Sequence, residues 1–225
     1  MPDLPYVSQP EDLALHGVRV LGFATASRVA ERYGLDAEVV EEALLDFEAR
    51  GWVRYFSFST LARETAHSLG GSSGWSVTDA GRTENERRLA DELDRAGVRD
   101  RVAGSHLVFV PLNRRFGAAC TQWQVRPTRL DPMALNDHTD WRWDERVLRT
   151  LASVEISFRD LCRQLTDCLA RFDGYADRYA AALSKAVAGQ REWVDAHDLD
   201  SCHILWIQFH EDLLATLRIP RGSDA

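Results

Sequence analysis

The residues that could do chemistry concentrate near the end of the chain, in Asp200-Ser-Cys-His-Ile-Leu-Trp-Ile-Gln-Phe-His-Glu-Asp-Leu-Leu. On a helix His203, Trp206 and His210 fall at i, i+3 and i+7 and share one face, and Asp200 or Ser201 can cap its start. Two histidines invite a metal reading, but at 1.5 Å per residue they stand about 10.5 Å apart along the axis. One ion needs closer ligands, as in the i, i+4 pair of HExxH. The Glu-Asp after His210 and the Asp137-His138-Thr-Asp140 cluster could contribute from elsewhere, yet spacing alone does not bring them together. No metal and no cofactor is the expectation. Polar and aromatic groups repeated on a face that should be core imply a buried hydrogen-bond network or a pocket.

A second face carries Asn113, Phe116, Cys120 and Trp123 at helical spacing, followed by Gln124. The candidate ligand-facing set is therefore Asn113, Cys120, Trp123, Gln124, His203, Trp206 and His210, with simple bundle packing as the alternative for each. Catalytic signatures are missing: no Gly-x-Ser-x-Gly, no phosphate-cradling loop, no dinucleotide fingerprint. The GGSSG at 70–74 belongs to a hairpin connection. Cys120, Cys162, Cys168 and Cys202 lack CxxC spacing and sit in helical stretches, as buried free thiols do. A non-enzymatic protein is expected.

The elements that position these residues follow from periodicity. Leu35 to Gly51 is the clearest: Asp36 caps, Val40, Ala43, Leu44 and Phe47 form one apolar stripe, and Gly51 closes. Ahead of it lie a helix from Glu11 and a short helix from Thr25 to Tyr33, with Arg28 and Arg32 outward, turning at Gly34. Trp52 to Ser59 alternates as a strand does, and Gly74-Trp-Ser-Val-Thr returns. A charged helix runs from Thr83 to Ala96. Beyond it the pattern is helical throughout: Val98–Val125 interrupted or kinked at Pro111, Asp144–Phe172, Tyr175–Val187 and Ser201–Leu217. The fold class is mainly α with a small β-hairpin wing. An arm (1–11), a winged helix (12–82), a connecting helix (83–97), an α-helical domain (98–219) and a tail (220–225) make up the chain.

Helix, turn, helix, hairpin, and then Val77-Thr78-Asp79-Ala80-Gly81-Arg82 closing the hairpin, resembles the winged helix-turn-helix domains of MarR- and PadR-type transcriptional regulators over about residues 12–95. The last helix, with Trp123-Gln124, is similar to that of a group of bacterial winged-helix proteins with a helical C-terminal domain, described as regulators. The resemblance implies a homodimer on double-stranded DNA, with the third helix in the major groove and the hairpin on phosphates. The helical domain is expected to bind a small-molecule effector or a second copy of the chain. Ser27, Arg28, Arg32, Arg54, Arg63 and His67 are the candidate DNA contacts.

Charge argues the other way. The chain has 27 basic and 35 acidic residues, net −8, and residues 36–48 hold six acids and no base. Phosphate neutralisation by Lys and Arg supplies most non-specific affinity for DNA. The alternative is an adaptor whose acidic third helix meets a basic protein. No run of about 18 apolar residues and no secretory signal is seen, so a cytoplasmic protein without a membrane span is expected.

Overall fold

A computed structural model describes residues 4–57 and 73–223. It is mainly helical with one hairpin, in the expected order. Helix α1 (Pro10–Leu21) starts with proline and two acids in its first turn, where a missing N–H costs nothing and negative charge meets the positive helix end. Helix α2 (Ala26–Tyr33) is capped by Thr25 and stops at Gly34, whose φ of 66° suits glycine. Helix α3 (Ala37–Ala49) is capped by Asp36, which accepts from the amides of Glu38 and Val39.

Strands β1 (Val53–Ser57) and β2 (Ser73–Val77) pair antiparallel, Val53 opposite Val77 and Tyr55 opposite Trp75. Ala24, between α1 and α2, exchanges both backbone hydrogen bonds with Trp75 at 2.8 and 3.1 Å. The hairpin is thereby tied to the helices. Arg63, His67 and most of the GGSSG stretch lie outside the described residues.

Helix α4 (Asp79–Ala96) leads to α5 (Arg99–Gln124), α6 (Trp141–Thr166), α7 (Tyr175–Val187) and α8 (Cys202–Leu217). Two expectations are corrected. α5 runs unbroken through Pro111. α6 ends at Thr166 and does not reach Phe172, because the extended backbone at Leu169 pairs with the N-terminal arm: Tyr6 donates to the Cys168 carbonyl and accepts from the Ala170 amide. The arm is thus part of the helical domain's edge. Among the described residues no helix is long and apolar enough to cross a membrane.

Burial forms two apolar clusters. One joins α1–α3 with the hairpin through Leu15, Val18, Val29, Val40, Leu44, Phe47 and Trp75. The other fills the helical domain around Phe109, Phe116, Phe158, Tyr179, Trp206 and Phe209. α1 lies between them, packed on α2 and α3 and also on α4 and α8, so every residue from Leu13 to Val20 is buried.

The Thr78-Asp-Ala-Gly81 corner shows why its glycine is needed. Thr78 caps α4 by accepting from Gly81 N–H, and its hydroxyl donates to the Gly51 carbonyl at 2.7 Å. A Cβ on Gly81 would sit 1.9 Å from the Trp52 carbonyl oxygen. Backbone must then move, so Gly81→Ala should destabilise the protein by at least about 1–3 kcal/mol. Denaturant unfolding measures this, and an unchanged midpoint would contradict the packing described.

Candidate functional site

The two candidate faces meet. Trp206 donates its indole N–H to Asn113 Oδ1 at 2.8 Å and stacks on Phe116 with ring centroids 4.2 Å apart and 9° between planes. His210 packs on Phe109 at 5.0 Å, and His203 on Phe116 at 6.3 Å. Burial, with His197 nearby, pushes the His203 imidazole below its ordinary value. Trp123 packs against His138, whose Nδ1 lies 3.0 Å from Asp144, and Asn136 ties Asp144 to the Trp123 carbonyl. Gln124 lies outside this core and donates to Asp195. Asn113, Cys120, Trp123, His203, Trp206 and His210 are therefore members of, or neighbours to, a packed aromatic core. Among the described residues no three His, Cys, Asp or Glu side chains are placed to hold a metal ion.

All four cysteines are free and buried. Burial pushes the Cys120 and Cys202 thiols up to about 12 and raises Cys162 and Cys168 as well. Such thiols are poor nucleophiles. A thiol-specific chromogenic reagent should stay nearly unreacted with the native protein and titrate four thiols after denaturation; fast native labelling would contradict this packing.

The candidate DNA contacts divide. Arg54 is exposed on β1. Arg28 and Arg32 are engaged by the helical domain, Arg28 while still 41% exposed. Arg28 pairs with Asp200 at 2.9 Å, just before α8, and Arg32 donates to the carbonyls of Asp173 and Arg171 at 3.0 and 3.2 Å. These two arginines face the helical domain because that domain offers them carbonyls and a carboxylate, which a periodicity argument cannot see. Ser27 lies with them along a groove of about 1050 Å³, also lined by Glu31, Tyr33, Asp173, Arg178, Trp193, Asp198 and Asp200.

What joins the two units is ionic. Asp212, fully buried, takes an ion pair from Arg171, a hydrogen bond from Tyr175 at 3.0 Å and a contact with His16 Nε2 at 3.0 Å. Arg171 also pairs with Glu92 at 3.0 Å and donates to Thr216 at 2.7 Å, while Ser8 of the arm donates to Glu92. Next along α8, Glu211 is 3% exposed and receives Arg19 at 2.8 Å, Arg82 at 3.3 Å and Arg221 at 2.6 Å. Asn85 bridges the two halves between Arg19 and His16. Burial would raise the Asp212 carboxyl, but Arg171 and His16 outweigh it and hold it well below the usual carboxylate range. Glu211 is depressed too, burial again being overcome by Arg19 and Arg221.

Sequence reasoning weighed Glu211 and Asp212 only as groups that could contribute to a metal site. The available signal was an acid pair inside an otherwise apolar helix, matched by His16 and Arg19 inside apolar α1. Comparison with family models, with curated proteins and with solved structures finds no match for this chain.

Removing one member of a buried pair leaves an uncompensated charge, so Asp212→Ala should cost about 3–5 kcal/mol. The pH sign follows from the depressed carboxyls. The unfolded chain binds protons at higher pH than the folded one, so this stabilisation is complete above about pH 5 and is lost as pH falls through about 4 towards the folded values. Urea midpoints between about pH 6 and 3 should fall in the wild type and fall less in Asp212→Asn. Equal slopes would remove the network from the account of stability.

Proposed function

We propose that the N-terminal unit is a winged helix and that the protein is a DNA-binding regulator, acting in the cytoplasm and paired with a second copy of itself. The observation that supports this reading is the topology: three helices, a hairpin, and Ala24 bridging to Trp75 so that the hairpin is anchored beside α3. The outer face of α3 is exposed, as is Arg54 on the hairpin. In such a unit α3 enters the major groove and the hairpin lies along the phosphates. Exposed Leu107 and Val108 on α5 provide apolar surface for a second copy.

Engagement by the helical domain narrows the candidate DNA contacts. Arg28 and Arg32 serve the junction, which leaves Arg54, with Arg63 and His67, as phosphate contacts. One observation favours the second reading, a protein-binding adaptor. α3 presents Glu38, Glu41, Glu42 and Glu48 around exposed Val39 and Leu45, and Arg50 at its end is paired with Asp46 at 2.8 Å. Acids flanking two apolar residues suit a basic partner with an apolar contact.

The two readings separate in a titration against the gene's own upstream duplex and a scrambled one at about 50 and 200 mM salt. A regulator binds the upstream duplex more tightly and loses affinity steeply with salt. Arg54→Ala then lowers the slope of log K against log salt by about one. Glu41→Gln with Glu42→Gln strengthens binding. Absence of binding to either duplex at the lower salt would discard the DNA reading in favour of the adaptor.

A further inference from the structure

Three side chains that line the groove between α2 and the helical domain carry buried polar atoms that the fold leaves without partners. Arg32 spends both terminal nitrogens on the carbonyls of residues 171 and 173, and its guanidinium lies 4.2 Å over the Tyr175 ring. Its Nε is buried with no hydrogen-bond partner. Arg178 spends Nη2 on Asp200 and Gln208, at 2.8 and 3.1 Å, and its Nη1 is buried and unpartnered. The Tyr33 hydroxyl is the third such atom. All three side chains line the same groove.

Buried donors without acceptors are costly, each by about 1–3 kcal/mol, and native proteins keep few of them. Three on one groove, two of them on guanidinium groups, call for an acceptor-rich, negatively charged guest. Burial, opposed by Arg32, pushes the Tyr33 hydroxyl up to about 12, so it remains a donor at neutral pH. Leu21 and Trp193 add apolar lining, and the acids Glu31, Asp173, Asp198 and Asp200 share the walls with Arg28, Arg32, Arg171 and Arg178.

Access is through a weak latch. The Arg28–Asp200 pair crosses the groove from α2 to the start of α8, with both side chains about two-fifths exposed at 41% and 38%. Exposed pairs contribute little to stability, about 0–1 kcal/mol. Asp200 also holds Arg178, so it occupies the position that an entering anion would take over.

We propose that this groove is a binding site for a small organic anion, an acidic head group on an apolar body, with Arg32, Arg178 and Tyr33 holding the head. The head displaces Asp200 from Arg178 and supplies the acceptor that Tyr33 and Arg32 Nε lack. The apolar body lies along Leu21 and Trp193. Because α2 forms one wall and the helical domain the other, the guest bridges both units. The site rests on this geometry alone, whichever macromolecule α3 and the hairpin contact.

Isothermal titration and thermal unfolding of the full chain with hexanoate, inorganic phosphate and hexanol test it. Hexanoate should bind saturably and raise Tm, and hexanol should do neither. Tyr33→Phe removes only an unpartnered hydroxyl. It should leave the unliganded Tm unchanged or higher while weakening hexanoate about tenfold, the effect of one hydrogen bond to an ionised group. Arg178→Gln should weaken it further. Phosphate binding more tightly than hexanoate, with the same loss in both variants, would support the anion site and assign its head to phosphate esters. Equal response to hexanoate and hexanol, undiminished affinity in both variants, or no heat with either anion would overturn the proposal.

Discussion

The structure depends on a carboxylate that cannot stand alone. Asp212 is out of contact with solvent on α8, and a lone ionised group there would carry a desolvation cost that no local element could offset. Its partners come from across the chain: His16 on α1, Arg171 after α6, Tyr175 on α7 and Thr216 one turn on. Satisfying one side chain thus fixes the mutual placement of four segments. Glu211, one residue earlier, repeats the device with Arg19, Arg82 and Arg221. Apolar packing fills each unit, but it is non-directional; the ionic layer between the two clusters sets their relative orientation.

Arginine suits this layer. Of the 27 basic residues, 26 are arginine, and a planar fork of five donors can serve several acceptors from one buried position. Arg171 does so with Glu92, Asp212 and Thr216 at once. Lysine, a compact and strongly hydrated charge, would have to be desolvated for fewer directed bonds.

The helices, the hairpin and most of the core were legible because they follow from local pattern: Asp36 and Ser201 as caps, Gly34 as a stop, and the stripes at Val40–Leu44–Phe47 and Val147–Leu151–Val154. The end of α6 was not, because it is decided by Tyr6, far away in sequence. For the site, helix-face logic placed Asn113 and Trp206 inward, and the structure joins them directly. It placed Arg28 and Arg32 outward without the partners that residues 171–200 supply to them. It had no means of pairing Asp212 with His16, since ion pairs between distant elements leave no periodic trace.

The arm that pairs with Leu169 has a consequence for biosynthesis. Residue 6 leaves the ribosome long before residues 168–170, and at about 5–20 residues per second the wait is on the order of ten seconds. During that time α1, buried on all sides in the finished fold, lacks both α8 and the turn that it packs on. Domains usually fold in order of emergence, but here the contacts of α1 are divided between α2 and α3, which follow it at once, and α8, which is made much later. Until α8 is made, His16 and Arg19 of the nascent chain lack the carboxylates of Asp212 and Glu211 that they meet in the finished fold.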